Sequence, residues 1–250
     1  MDLLPVEIKV NVDSDVAAAL SALGGSHGVR TTRRIWFAED RDGVAERRVP
    51  LLDAGVIVRF RLGDDADDLT VKLRPCTSRQ LVGRFSAPFD ADPFTYKIEE
   101  DWSADRQVLA ASLVHDHPPG ALSEAVSPGG DPAASVDPLH HQFLHACAPT
   151  VPFGGLVALG PILATKVEDV PLGGLKVNLE AWSVAGLDFL EVSIRVKPKD
   201  DDEAEELAKR AERKQRELED AVRGRGVALS EHPENKTRRV LTALVRSMHN

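Results

Sequence analysis

Cationic side chains recur at every second position in two neighbouring segments of the chain. The first segment carries Arg59 and Arg61, and the second carries Lys72 and Arg74. Because residues two apart on a strand share one face of a sheet, each pair points to one side. If the two segments pair as a hairpin through the turn-rich residues 63–68, the four cations converge on one surface. Like charges side by side repel, so this surface suits water or a polyanion better than a protein core.

Phosphate groups are the anions that these cations match best. Arginine presents a planar fork that fits phosphate oxygens, and lysine supplies a mobile point charge. The alternative is a solvated outer face of a sheet. We favour phosphate binding because the opposite faces, with Val56 and Val58 in one segment and Val71 and Leu73 in the other, are apolar and suit a covering layer of helices.

Four other segments alternate in the same way but mix the signs of charge. Their polar faces consist of Glu7 and Lys9; Lys97, Glu99 and Asp101; Lys176, Asn178 and Glu180; and Glu191, Ser193 and Arg195. A single amphipathic strand is typical of a half-solvated sheet. Six such strands favour a barrel that lines its interior with charge and carries helices on its apolar face. The predicted fold class is α+β, a closed antiparallel β-barrel with peripheral helices and a C-terminal helical tail.

The succession of these motifs resembles the CYTH family of triphosphate tunnel metalloenzymes, which includes class IV adenylyl cyclases, thiamine triphosphatases and inorganic triphosphatases. The similar motifs are, in order, Pro5-Val6-Glu7-Ile8-Lys9, Arg59-Phe60-Arg61, Val71-Lys72-Leu73-Arg74, Glu99-Glu100-Asp101, and Leu179-Glu180 followed by Gly186 and Phe189-Leu190-Glu191-Val192-Ser193. The resemblance spans roughly residues 4–196. It implies that the barrel is a tunnel that binds the phosphates of a triphosphate.

The resemblance also implies a role for each charged residue. Substrate phosphates would be bound by Arg59, Arg61, Lys72, Arg74, Lys166 and Lys176, and a metal by Glu7, Glu99, Asp101, Glu180 and Glu191. Lys9 and Glu7 would be the catalytic residues. Carboxylate oxygens are hard ligands, so the expected cofactor is Mg²⁺ or Mn²⁺. The alternative is that these carboxylates only neutralise the cations of the tunnel.

Three positions depart from the family pattern. Pro5 and Ser193 replace the first and last glutamates, and Glu180 stands where aspartate is usual. The phosphate-binding half of the pattern is therefore better preserved than the metal-binding half. The predicted function is metal-dependent hydrolysis of a triphosphate, whether inorganic, thiamine or nucleoside triphosphate. The alternative is a polyphosphate- or nucleotide-binding module of the same fold with weak or no catalysis.

Composition restricts the partners and the location. The chain has 250 residues and a formal net charge of -9, which argues against nonspecific nucleic-acid binding. A small phosphorylated anion is the expected partner, with a homodimer as one alternative for assembly. Neither a cationic leader nor a long apolar run occurs in the sequence, so we expect no membrane association and a cytoplasmic location.

The chain changes composition near residue 197, which divides it into a tunnel domain over residues 1–198 and a C-terminal helical appendage over residues 199–250. The appendage would pack on the barrel, cover one mouth or form a dimer contact. Within the tunnel domain, residues 103–113 are predicted to form a short helix.

The histidines invite a metal interpretation. They are His115, His117, His140, His141 and His145, of which the last three fall on a predicted helix. No acidic or cysteine partner stands at a matching spacing, so we interpret them as surface and helix-packing residues.

Overall fold

Ten strands, six α-helices and three short 3-10 helices make up the regular structure of the described residues. The computed structural model describes residues 3–12, 15–26, 28–151, 153–231 and 236–248. The strands are β1 (Val6–Val12), β2 (Val29–Asp40), β3 (Val56–Gly63), β4 (Asp67–Cys76), β5 (Phe89–Ala91), β6 (Phe94–Ser103), β7 (Arg106–His117), β8 (Leu156–Leu172), β9 (Leu175–Val184) and β10 (Leu187–Val196). The helices are α1 (Val16–Ala22), α2 (Arg41–Ala45), α3 (Pro50–Asp53), α4 (Pro138–Cys147), α5 (Ala204–Arg223) and α6 (Lys236–Ser247).

The strands form one sheet that closes on itself. Their hydrogen-bonded order is β1-β10-β9-β8-β2-β3-β4-β7-β6, and β6 pairs back to β1, while β5 adds to β6 alone. The predicted closed barrel is therefore confirmed. The β1–β6 pair is parallel, so the barrel is mixed, with one parallel pair among its antiparallel neighbours. A ring of nine strands cannot alternate direction all the way round, because an odd ring leaves at least one parallel pair.

The period-two pattern of the sequence sets the faces of the strands. In β1, Val6, Ile8, Val10 and Val12 are buried, and the residues between them are half-buried. The same alternation holds along β3. Charged side chains at every second position thus share a face opposite the apolar one, as the sequence predicts.

Helices cover the apolar face of β1. In α5 the buried residues Leu207, Ala211, Leu218 and Val222 belong to the same hydrophobic cluster as Val6 and Ile8. Helix α5 contacts both β1 and β10, and α1 contacts β9 and β10. Of the three roles foreseen for the C-terminal segment, packing on the barrel is the one that α5 fills. None of the helices in the described part of the chain has the length and apolar character needed to cross a membrane.

The helix predicted over residues 103–113 is wrong. These residues complete β6 and begin β7, with a turn at Ala104. Strand β7 pairs with β4, so that Leu113 lies opposite Val71 and Ser112 opposite Lys72. Alanine, leucine and glutamine favour helices when considered locally, but pairing with a neighbouring strand outweighs that weak preference.

The described residues fall into two compact units. Unit 1 comprises residues 1–32, 99–108 and 164–236, and unit 2 comprises residues 33–98, 109–163 and 237–250. Unit 1 contains β1, β9, β10 and α5, and unit 2 contains β3, β4 and α4. The charged residues singled out by the sequence are distributed over both units.

Candidate functional site

In unit 1, β1 places a lysine between two carboxylates. The Nζ atom of Lys9 lies 2.7 Å from Oε2 of Glu7 and 2.7 Å from Oδ1 of Asp101. Glu7 and Lys9 share a face because they are two residues apart, and the parallel register of β1 and β6 sets Glu7 beside Asp101. The two predicted catalytic residues are therefore in direct contact.

A third carboxylate completes an acidic cluster of Glu7, Glu99 and Asp101. One carboxylate oxygen from each lies within 4.8 Å of the other two. Glu99 and Asp101 are buried, and Glu7 is half-buried. Arg195 lies 3.2 Å from Glu99, so Lys9 and Arg195 together offset part of the negative charge. Lys9 contacts two of the three carboxylates and Arg195 contacts the third.

The acidic cluster fits a divalent cation. Oxygen ligands bind Mg²⁺ at about 2.0–2.1 Å and Ca²⁺ at about 2.3–2.6 Å, so two ligands of one ion lie at most roughly 4–5 Å apart. The 4.8 Å bound on the three carboxylate oxygens lies inside the limit for Ca²⁺, whereas Mg²⁺ would require them to draw in to about 4.2 Å. The ammonium of Lys9 already contacts two of them, so an added cation would share these oxygens with it.

The other two predicted metal ligands, Glu180 and Glu191, form a separate acidic pair. They lie directly opposite each other on β9 and β10, where like charges repel. Lys236 compensates for this repulsion, because its Nζ atom lies 3.1 Å from Glu180 and 3.6 Å from Glu191. The same atom is 3.9 Å from the centre of the Trp182 ring, a cation–π contact.

Sequence reasoning missed Lys236. Lys236 is only 7% exposed. It is the first residue of helix α6, which carries several charged residues. A lysine at a helix N-terminus opposes the helix dipole, so it usually needs compensation from elsewhere in the protein. That cue was available in the sequence, whereas the identity of the compensating carboxylates depends on the fold.

The two positions at which the CYTH pattern has glutamate and this chain does not are Pro5, just before β1, and Ser193 in β10. Ser193 is the register partner of Lys9, so the missing carboxylate would have stood beside that lysine. Pro5 immediately precedes β1, and its carbonyl accepts a hydrogen bond from the amide of Glu100 at 3.0 Å. Proline fits this position because it donates no hydrogen bond there.

In unit 2, the structure brings the cationic set Arg59, Arg61, Lys72 and Arg74 to one face of the β3–β4 hairpin. In the register, Arg59 lies opposite Thr70 and Lys72 lies opposite Ile57. All four cations are half-buried. The turn between the strands is shorter than predicted, because β4 begins at Asp67 rather than after residue 68.

Because β4 begins at Asp67, Asp68 is part of the strand and lies among the cationic set, which the sequence analysis did not predict. Asp68 is 3% exposed and lies opposite Arg61, whose Nε atom contacts both carboxylate oxygens at 2.9 and 2.8 Å. Arg33, also missed from the sequence, contacts Asp68 at 2.7 Å. Thr70 donates to Asp68 at 3.2 Å, and Arg59 donates to Thr70 at 3.4 Å. Extending the alternation of Lys72 backward by two and four residues would have found both Thr70 and Asp68.

The remaining two predicted phosphate ligands lie in unit 1 and differ from the cationic set. Lys166 pairs with Glu168 on the same strand at 2.5 Å, and each side chain is a little under half exposed. Lys176 is exposed just after the tight turn that joins β8 to β9.

Comparison with known proteins identifies relatives by structure only. No protein-family model and no curated protein matches the sequence. The solved structure of HpAC1 from Hippeastrum, assigned as an adenylyl cyclase with a dominant triphosphatase activity, matches with a TM-score of 0.59 and 14% identity, covering 98% of this chain and 96% of that one. A protein of Bacillus halodurans assigned as an adenylate cyclase matches with a TM-score of 0.51 and 14% identity, covering 94% and 96%. The chain therefore has the fold that the resemblance to the CYTH proteins implies.

Proposed function

We propose that the chain binds a triphosphate and hydrolyses it with the help of a divalent cation. The observation that carries this proposal is the acidic cluster, in which three carboxylates predicted as metal ligands lie within 4.8 Å of one another beside Lys9. Mg²⁺ or Mn²⁺ at this cluster would withdraw charge from phosphoryl oxygens and activate a water molecule. Inorganic, thiamine and nucleoside triphosphates are the candidate substrates.

Lys9 is assigned the catalytic role in this proposal. Its ammonium is held by Glu7 and Asp101, each at 2.7 Å, so its position is defined by β1 and β6 before a substrate binds. Such a fixed cation can donate a hydrogen bond to a phosphoryl oxygen as negative charge develops on it. Glu7 has two roles, as a ligand of the cation and as the group that orients Lys9.

We assign the phosphate chain to the cationic set and to Arg33, which shares Asp68 with Arg61. Asp68 contacts Arg61 through Nε of the guanidinium, so this contact does not use the donors of the two terminal nitrogens. An arginine held in this way presents its donors in one orientation. Lys166 and Lys176 remain candidate phosphate ligands on the strength of the sequence resemblance.

A second candidate function is a binding module with little turnover. The observation that favours it is Lys236, which already offsets the charge of Glu180 and Glu191. A pair neutralised by a buried lysine has less attraction for a divalent cation. Together with Pro5 and Ser193, this weakens the metal-binding half of the family pattern more than the phosphate-binding half.

Phosphate release and calorimetry on the full chain separate the two functions. Inorganic, thiamine and adenosine triphosphates would each be tested with Mg²⁺, with Mn²⁺ and with a chelator, and cyclic nucleotide would be measured alongside phosphate. The proposal predicts metal-dependent phosphate release from at least one substrate. Micromolar triphosphate binding with no metal-dependent release would establish the binding module instead. The absence of both would contradict each function.

A further inference from the structure

The acidic pair of unit 1 is paired with a cation that belongs to the protein itself. Nζ of Lys236 lies 3.1 Å from Oε2 of Glu180 and 3.6 Å from Oε1 of Glu191. The lysine side chain is buried, and both glutamates are half-buried. Water screens such contacts less than it screens contacts at an open surface, because the effective dielectric constant near the protein interior is lower. The ammonium is therefore a strongly held counter-charge of the pair.

The ring of Trp182 defines the position of this ammonium from a third side. Trp182 is buried and lies two residues after Glu180 on β9, so the two side chains point to the same face of the strand. The ring centre is 3.9 Å from Nζ of Lys236. Cation–π attraction is stronger for a cation that has been removed from water than for an exposed one. Two carboxylates and one aromatic ring thus hold the ammonium in one place.

The acidic pair belongs to a row of oxygen-bearing side chains that crosses three strands. Asn11 of β1 is the register partner of Glu191, which is itself the register partner of Glu180. Oδ1 of Asn11 is buried and, within the described part of the chain, has no hydrogen-bond partner. Buried polar atoms are nearly always satisfied, and amide and carboxylate oxygens are ligands that divalent cations accept. The row therefore has the donor types of a cation site.

A second row of residues separates the acidic pair from the acidic cluster. It consists of Lys9, Ser193 and Asn178, which are register partners across the same three strands. Ser193 stands where the CYTH pattern has glutamate, so the chain lacks the carboxylate that would have extended the pair toward Lys9. The pair is left with two carboxylates, and Lys236 contacts both of them.

We propose that Lys236 is a built-in cation that keeps a divalent ion off the acidic pair, so that the chain binds a single catalytic ion, at the acidic cluster. The inference rests on the proposed function only for the ion at the acidic cluster. Mg²⁺ bridging Glu180 and Glu191 would lie about 2.0–2.1 Å from an oxygen of each. The ammonium already contacts one oxygen of each, so the two cations would compete for these oxygens and repel each other.

This arrangement determines which groups can activate water. A metal ion lowers the pKa of a water molecule that it binds, whereas an ammonium supplies positive charge without that effect. Lys236 therefore gives the acidic pair a fixed positive charge and no metal-bound water. Activation of the attacking water is left to the ion at the acidic cluster.

The number of Mn²⁺ ions bound by the full chain, freed of metal by a chelator, tests this proposal. Lys236→Met keeps the apolar stem of the side chain and removes its charge. By calorimetry and by the paramagnetic resonance signal of free Mn²⁺, this variant should bind one more Mn²⁺ than the wild type, and adding Glu180→Gln should abolish the extra site. The control is Lys209→Met, which removes a 69% exposed lysine from α5 and should bind as many ions as the wild type.

Two further readouts keep the outcome independent of folding and of the proposed function. In the wild-type background, Glu180→Gln should leave the number of bound Mn²⁺ ions unchanged, which tests the proposal even if Lys236→Met does not fold. Adding Glu7→Gln to Lys236→Met should remove the ion of the acidic cluster and retain the extra one. An equal Mn²⁺ count in Lys236→Met and wild type would overturn the proposal, and so would loss of an ion in Glu180→Gln alone.

Discussion

At the scale of single residues, Asp68 changes the role of the arginines around it. A row of cations on one sheet face repels itself, and a buried carboxylate within that row relieves the repulsion. Asp68 contacts both Arg61 and Arg33, so these arginines stabilise the fold as well as being candidates for phosphate binding. A purely cationic surface would have allowed either arginine to be removed without loss of stability.

Substituting Arg61 with alanine should therefore affect both properties. Arg61→Ala should weaken inorganic triphosphate binding by about 1.5–3 kcal/mol, the range for hydrogen bonds to charged groups. It should also lower the free energy of unfolding by about 1–3 kcal/mol, because buried Asp68 loses one of its partners. Calorimetry and urea unfolding would measure the two effects.

Lys97→Ala is the matched control for Arg61→Ala. Lys97 is an exposed cation on β6 in the same unit, so its removal should leave stability within roughly 0.5 kcal/mol of the wild type. Triphosphate binding should also be unchanged. If Arg61→Ala bound triphosphate as well as Lys97→Ala does, the cationic set would not be the phosphate site.

At the scale of elements, the strand alternation and the β3–β4 hairpin were readable from the sequence, whereas the more distant strand partners were not. The faces of β1, β3 and β4 follow from side chains two residues apart. The proximity of Glu99 and Asp101 to Glu7 depends on the parallel pairing of β6 with β1, which no local pattern encodes. The same dependence on distant partners explains why β7 was mistaken for a helix.

A buried carboxylate also organises the short helices between β2 and β3. Glu39 accepts from the amides of Leu51 at 2.5 Å and Leu52 at 3.3 Å, near the start of α3. Burial raises the pKa of Glu39 to about 7. In the unfolded chain this carboxyl ionises near pH 4.5, so the folded state retains its proton over a pH range in which the unfolded state has lost it.

Glu39 should therefore make the folded protein less stable as the pH rises from 4.5 to 7. Its contribution falls by about 3 kcal/mol across this range, at 1.36 kcal/mol per pKa unit. In Glu39→Gln the amide oxygen can still accept both hydrogen bonds but cannot titrate. The difference in unfolding free energy between Glu39→Gln and wild type should thus grow in favour of the variant from pH 4.5 to pH 7.

Urea unfolding at several pH values would measure this slope. Glu46→Gln is the control, because Glu46 is exposed in the same region of the chain and its substitution should leave the wild-type slope in place. A difference between Glu39→Gln and wild type that stayed constant with pH would show that Glu39 does not retain its proton in the folded state.

At the scale of the whole molecule, the closed sheet and its helices followed from composition and alternation. The pairing of charged residues that lie far apart in the sequence could not be predicted in this way. Lys236 is 56 positions from Glu180 in sequence, and Arg33 is 35 from Asp68. Such contacts depend on topology, so the sequence could nominate five carboxylates but not divide them into a cluster of three and a pair.

Helix α5 should be an integral part of the fold. Leu218 is 0% exposed and belongs to the hydrophobic cluster that includes β1. Leu218→Ala should lower the free energy of unfolding by about 2–5 kcal/mol, the cost of a cavity in a packed core. Leu163→Ala, at a 55% exposed position, should change it by no more than roughly 0.5 kcal/mol. Equal urea midpoints for the two variants would show that α5 is not part of this core.

The central claim is that the acidic cluster binds the cation needed for triphosphate hydrolysis, and one matched pair of variants tests it most directly. Glu99 belongs to the acidic cluster, whereas Glu100 lies on the other face of β6 and accepts a hydrogen bond from Trp102 at 2.9 Å. With Mn²⁺ and the best substrate, Glu99→Gln should reduce both Mn²⁺ affinity and the rate of phosphate release at least about tenfold. Glu100→Gln should retain both. Equal Mn²⁺ affinity and equal phosphate release in the two variants would contradict the account.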